Sequence, residues 1–170
     1  MRCDVGLIGL AVMGENLALN MESRGLSVAV YNRTTERMRQ FIAGRAAGKR
    51  FHGADTLAGF VESIERPRRI VMLVKAGSAV DALIAELVPL LSPGDILIDG
   101  GNSLYTDTAR RVREVESHGL LYVGSGVSGG EEGALTGPSL MPGGSSAAWP
   151  HLRPVFQAIC ARTPEGEPCC

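Results

Sequence analysis

Along this chain, short apolar runs alternate with longer stretches in which apolar residues recur every three or four positions. The short runs read as buried strands and the spaced patterns as amphipathic helices. On this basis strands fall at residues 5–8, 26–31, 69–74, 95–99 and 120–127, with a short sixth at 139–142. Helical patterns run from about 15 to 21, 36 to 43, 56 to 63, 78 to 90, 104 to 117 and 149 to 160. Gly25 and Gly119 stop two of these helices, and Ser92-Pro93-Gly94 turns the chain back into a strand. The basic, glycine-containing segment 44–53 is assigned no element. This alternation predicts an α/β fold: a Rossmann-like, doubly wound, mostly parallel sheet with helices on both faces.

The first strand ends in Gly9-x-Ala11-x-x-Gly14, directly ahead of a helical pattern. Gly9 permits a tight turn, Gly14 allows close helix–strand packing, and the free N–H groups at a helix start favour a pyrophosphate. Ala11 replaces the usual middle glycine and turns a methyl toward the approaching phosphates. The second strand is followed by Asn32-Arg33-Thr34, where NAD-binding chains usually carry a carboxylate for the ribose 2′-OH. A carboxylate there repels a 2′-phosphate, whereas Arg33 can grip one with two parallel hydrogen bonds, and Arg37 adds a second cation one turn later. The pattern therefore predicts NADP rather than NAD. Asn32 and Thr34 can at the same time end the strand and cap the following helix.

Composition sets outer bounds. With 170 residues, 45% of them hydrophobic, the chain is long enough for one cofactor-binding domain spanning residues 1–170 with its own core. No apolar run approaches the length of a membrane span, and Asp4 interrupts any signal-peptide pattern at the N-terminus. A net charge of −1 gives no ground for broad nucleic-acid or membrane binding. Cys3, Cys160, Cys169 and Cys170 lack metal-ligand spacing, so no metal site is expected and reduced thiols in a cytoplasmic protein are. His52, His118 and His151 sit in no chemical motif and receive no catalytic role.

Ligands of such sheets lie beyond the carboxyl ends of the strands. The third strand leads into Val74-Lys75-Ala76-Gly77, small residues beside one lysine able to contact a phosphate or carboxylate. The fourth leads into Asp99-Gly100-Gly101-Asn102-Ser103, which brings backbone and one amide side chain close to a ligand, or equally forms a capped turn. The fifth leads into a glycine-rich stretch, 124–133, read as a loop whose backbone N–H groups can meet a bound sugar or acid.

These segments, together with Gly137-Pro-Ser-Leu-Met-Pro-Gly-Gly144, run in the order found in the decarboxylating 6-phosphogluconate dehydrogenases, and the chain closely resembles that family. The alanine in the glycine fingerprint is normal there. The resemblance implies an NADP-linked oxidation of 6-phosphogluconate to ribulose 5-phosphate and CO2 in the pentose phosphate pathway. It implies cofactor contacts at Gly9, Leu10, Ala11, Val12, Met13, Gly14, Asn32, Arg33, Thr34, Val74, Lys75, Ala76 and Asn102. Asn102, Ser128, Gly129 and Gly130 are implied to hold the substrate. It further implies a homodimer, and a second, helical domain after Cys170 that carries the lysine general base and the glutamate general acid. On that reading no catalytic residue lies in this segment, and residues 1–170 alone are expected to be inactive. Two alternatives stay open: a non-catalytic NADP(H)-binding module, and a 3-hydroxyacid dehydrogenase sharing the glycine turn but matching the 133–144 segment less well.

Overall fold

The computed structural model describes residues 2–170 and resolves the alternating pattern into a single sheet flanked by helices. In chain order the elements are β1 (Val5–Ile8), α1 (Val12–Ser23), β2 (Val28–Tyr31), α2 (Thr35–Ala43), β3 (Phe51–Gly53), α3 (Leu57–Glu62) and β4 (Arg69–Met72). There follow α4 (Ser78–Leu87), β5 (Ile96–Asp99), α5 (Tyr105–Glu116), β6 (Leu121–Ser128), α6 (Gly130–Thr136), β7 (Ser139–Gly144) and α7 (Trp149–Ile159). Among the described residues the sheet has seven strands in the order β3-β2-β1-β4-β5-β6-β7. All pairs are parallel except β6–β7, an antiparallel pair with Val127 opposite Leu140. The chain winds outward from β1 in one direction, crosses back to β4, and winds outward in the other, so the fold is the doubly wound α/β class expected. Its switch point lies between β1 and β4.

Side chains on successive strand residues point to opposite faces, and two cores result. Leu7, Val30, Val71, Ile98 and Val123 face α1, α2 and α7, where they meet Leu17, Met21, Phe41, Val155 and Phe156. Ile8, Ala29, Ile70, Met72, Leu97 and Tyr122 face α3, α4 and α5 and meet Phe60, Val61, Val80, Leu87 and Val115. The central strands are therefore apolar throughout rather than alternating, as parallel strands covered on both faces must be.

Three elements depart from the sequence reading. The 44–53 segment contains β3, a three-residue edge strand. The glycine-rich stretch is not one loop: residues up to 128 extend β6, and α6 starts at Gly130. The helix expected to reach residue 90 ends its α-helical part at Leu87, and Val88–Leu90 tighten into a 3₁₀ turn around Pro89, which cannot donate the next helical bond. No helix of the described residues is long and apolar enough to cross a membrane.

The amino ends of β4 and β5 are joined by a buried ion pair. Arg68 Nη1 donates to Asp95 Oδ2 at 2.7 Å, its backbone N–H to Oδ1 at 2.8 Å, and its Nε to the Val61 carbonyl at 2.8 Å. Ser92 N–H completes the Asp95 carboxylate at 2.9 Å. Removing one member of such a pair strands the other charge in the interior. Asp95→Ala is expected to lower the unfolding free energy by about 3–5 kcal/mol in urea titration. Asp55→Ala, which deletes the exposed partner of Arg39, is expected to leave the midpoint where it was.

Candidate functional site

The parallel strands β1 to β6 run to one edge, where six chain segments leave the sheet. Neighbouring strands register these exits: Gly9 N–H donates to Tyr31 O (3.1 Å), Leu73 N–H to Ile8 O (2.8 Å), and Gly100 N–H to Met72 O (3.0 Å). Gly9 has φ +101° and lies so close to β4 that a Cβ would meet the Leu73 carbonyl, while a Cβ on Gly14 would meet the Gly9 carbonyl. Only glycine fits either place, and the start of α1 is thereby drawn down onto the end of β1. Ala11 is the N-cap residue, extended and exposed, with no side-chain capping bond. The first-turn N–H groups of α1 thus have no internal acceptor and open toward the edge of the sheet.

A cleft of about 390 Å³ lies at this edge, between the β1 and β4 exits. Of the residues proposed from sequence for the cofactor, Gly9, Ala11, Asn32, Arg33, Thr34, Val74 and Lys75 line it; Val12, Met13, Gly14, Ala76 and Asn102 do not. Leu10 is fully buried and belongs to the core, leaving only its backbone at the site. Asn32 is already engaged: its Oδ1 accepts from Leu10 N–H at 3.0 Å and its Nδ2 donates to Thr34 O at 3.0 Å. It braces the β1 and β2 exits against each other. Thr34 occupies the N-cap of α2 but its hydroxyl makes no capping bond. Arg33 and Arg37 are exposed, line the cleft, and among the described residues have no carboxylate within salt-bridge distance. The opposite wall comes from α4, through Ala79, Ala82, Leu83 and Glu86. Sequence reasoning missed this wall. Its signal was the small and apolar spacing 79, 82, 83 on a helix already identified.

Asn102 and Ser128 stand at the ends of neighbouring strands β5 and β6, both exposed. Asp99 is opposite Gly124, so β6 projects four residues further than β5 before reaching Ser128. Gly129 (φ +131°) and Gly130 (φ +63°) then turn the chain into α6. Two asparagines of α1 seat that helix: Asn16 Nδ2 donates to Glu131 O at 2.8 Å, and Asn20 Nδ2 to Ala134 O at 3.2 Å and Ile159 O at 2.9 Å. The helix that presents free N–H groups at the cleft therefore also carries the segment that follows Ser128.

Beneath the Asn102 loop lies a polar cluster. Arg111, fully buried, bonds Asp81, Asp99, Ser103 and the Gly77 carbonyl. Tyr122, also buried, donates its hydroxyl to Asp99 Oδ2 at 3.0 Å. Burial and the neighbouring Asp99 carboxylate hold the Tyr122 hydroxyl protonated well above the usual phenol range. Hydrogen bonds from Arg111, and after them from Arg110, lower the Asp81 carboxyl to about 2. Among the described residues no three His, Cys, Asp or Glu side chains cluster closely enough to hold a metal ion.

Because its folded-state pKa is depressed from 3.8 to about 2, Asp81 contributes stability that is present above pH about 3.8 and lost as pH falls toward 2. Its side chain is partly exposed, so the effect is modest. The native protein is expected to melt at a higher temperature than Asp81→Asn at pH 5, and that gap is expected to close between pH 4 and 2. Parallel thermal melts across that range measure it.

Residues 4–169 match the family model described as the NAD binding domain of 6-phosphogluconate dehydrogenase. The chain is 58% identical over 168 residues to a decarboxylating 6-phosphogluconate dehydrogenase of Dictyostelium discoideum, covering 98% of this chain and 34% of that protein. With the Homo sapiens protein of the same name it shares 56% identity over 169 residues, 99% of this chain and 35% of the relative. The chain thus spans about a third of the length of these relatives. The structure superposes with a TM-score of 0.91 and 40% identity on the Plasmodium falciparum 6-phosphogluconate dehydrogenase, solved apo, with NADP+ and with 6-phosphogluconate; the match covers 98% of this chain and 36% of that one. A Mycobacterium tuberculosis 3-hydroxyisobutyrate dehydrogenase shares the fold at 21% identity, with a TM-score of 0.80, over 94% of this chain and 53% of its own.

Proposed function

The chain belongs to the family of 6-phosphogluconate dehydrogenase NAD-binding domains, and on that premise we propose that it forms the NADP-binding domain, residues 1–170, of a decarboxylating 6-phosphogluconate dehydrogenase. The observation that carries the choice of nucleotide is the pair of unpaired guanidinium groups, Arg33 and Arg37, on a cleft whose β2 exit offers no carboxylate. The residues fit the cofactor. The Cβ-free approach at Gly9 and Gly14 and the uncapped start of α1 make an anion cradle for a pyrophosphate. Arg33, Arg37 and the Thr34 hydroxyl provide cations and a donor for a 2′-phosphate. Ala79, Leu83 and Val74 give the cleft an apolar lining against which an adenine ring can lie.

When bound, NADP supplies the acceptor for the hydride removed from the substrate's C3. The chain's own residues bind and orient. Val12, Met13 and Gly14 contribute backbone N–H groups around the phosphates, Leu10 ties the turn to Asn32 through its own N–H, and Lys75 and Ala76 close the loop beyond Val74. Asn102, with one donor and one acceptor on an exposed amide, lies where it can touch both cofactor and substrate. Ser128, Gly129 and Gly130 offer a hydroxyl and side-chain-free backbone to a polyhydroxy acid. The general base and acid belong, on the same reading, to the family's second, helical domain, as does much of a homodimer interface. A cytoplasmic location, with no nucleic-acid or membrane partner, completes the proposal.

The test is calorimetric titration of both cofactors. The protein is expected to prefer NADP+ over NAD+, and Arg33→Ala to reduce that preference by about 10- to 100-fold, the worth of a hydrogen bond to a charged group. Asn32→Asp is expected to shift selectivity toward NAD+, since the carboxylate still accepts from Leu10 N–H but repels a 2′-phosphate. Equal affinities for the two cofactors in the unsubstituted protein would overturn the assignment.

A further inference from the structure

Arg111 has the features of a residue maintained for placement rather than for stability. It is fully buried on α5, next to the half-buried Arg110, which also bonds Asp81 Oδ1 at 3.0 Å, while Arg113 is exposed. The donors of Arg111 are spent on four separate pieces of chain. Nε bonds Asp81 Oδ1 at 2.8 Å and Nη2 bonds Asp81 Oδ2 at 3.2 Å, both on α4. Nη2 also reaches the Gly77 carbonyl at 3.0 Å, the last residue of the β4 exit loop. Nη1 reaches Ser103 Oγ at 3.1 Å and Asp99 Oδ2 at 3.4 Å. Asp99 in turn accepts Gly101 N–H at 3.0 Å on Oδ1, and Ser103 Oγ at 2.6 Å and Tyr122 OH at 3.0 Å on Oδ2.

The consequence is local and specific. Gly101 and Ser103, the residues on either side of Asn102, are both tied to one buried carboxylate, while the Asn102 side chain stays exposed. The same guanidinium ties the 74–77 loop, on the cleft side, to the same hub. A buried ion cluster is a poor way to gain stability, because desolvation offsets most of the attraction and apolar residues of equal volume do as well or better. What such a cluster does well is fix geometry: every member is directional, and together they allow one arrangement.

We propose that Arg111, Asp99, Tyr122 and Ser103 are positioning residues that hold the Asn102 amide where it meets cofactor and substrate and lock the 74–77 cofactor loop in register with it. This inference rests on the reading of Asn102 as the residue shared by cofactor and substrate. The cluster touches neither ligand itself; it acts through the peptide on both sides of Asn102.

The experiment uses the intact protein that carries this chain, with Ser103→Ala, Tyr122→Phe, Asn102→Ala and the double variant Asn102→Ala/Ser103→Ala. Turnover of 6-phosphogluconate with NADP+ is expected to fall about ten- to a hundredfold in Ser103→Ala and Tyr122→Phe, the cost of a small misplacement of a positioned group. Binding of 2′,5′-ADP, which reaches the Arg33 end and the Val74–Leu83 wall of the cleft but not Asn102, is expected to stay within about twofold in these two variants, since neither hydroxyl bonds the 74–77 loop, a split that general loosening of the fold does not produce. The double variant is expected to be no slower than Asn102→Ala alone, because the hydroxyl acts only through that amide. Hydrogen exchange at the Gly101 and Asn102 amides is expected to quicken in Ser103→Ala. Additive losses in the double variant, unchanged turnover in both single variants, or unchanged exchange at the loop would overturn the proposal. An unsubstituted protein that binds NADP+ but does not oxidise 6-phosphogluconate would instead overturn the functional reading, and the exchange and 2′,5′-ADP measurements would still decide on the loop.

Discussion

The functional edge of this molecule depends on two contacts that admit no side chain. Gly9 lies against the Leu73 carbonyl and Gly14 against the Gly9 carbonyl. Together they bring the first turn of α1 down to the end of β1 at the point where the sheet changes winding direction. If either carried a methyl, the helix would have to lift away, and its free N–H groups would no longer face the cleft. The tilt of α1 also sets what lies further along it. Asn16 and Asn20 reach across to carbonyls of α6 and α7, so the chain beyond Ser128 takes its position from the same helix. One tight turn near the amino end therefore governs both halves of the proposed site, which are more than a hundred residues apart in sequence.

The edge also separates its tasks between rigid and free groups. Asn32, Asp99, Ser103 and Arg111 are occupied by internal hydrogen bonds, whereas Arg33, Arg37, Lys75, Asn102 and Ser128 are exposed. The occupied groups hold the loops; the exposed ones offer their chemistry outward. In a fold whose loops are rich in glycine this division matters, because loops with few packing side chains keep a defined shape only where side-chain hydrogen bonds impose one.

Much of this was legible in the residues. The apolar runs at 5–8, 69–74 and 95–99 could only be strands covered on both faces, and the glycines at 9 and 14 announced the turn between the first strand and helix. What was not legible depends on distant contacts. β3 is three residues with an exposed His52 in the middle, held as a strand because β2 offers an unpaired edge rather than by any apolar pattern. α6 begins with two glycines and reads as a loop; it is seated by asparagines 115 and 114 residues earlier in the chain. Arg111 sits among other arginines on an amphipathic helix, and nothing in the local pattern marks it as the buried one. Asn32 carries a second task that its residue type does not announce: besides lining the cleft, its amide joins two loops.

The central claim is that the glycine-cradled cleft between β1, β2 and α4 is an NADP site. A crystal structure of the intact protein grown with NADP+ tests it most directly. The account predicts the pyrophosphate over the first turn of α1 and the 2′-phosphate against Arg33, with the adenine between Val74 and Leu83. A dinucleotide bound elsewhere, or one seated in the cleft with its 2′-phosphate turned away from Arg33, would contradict it.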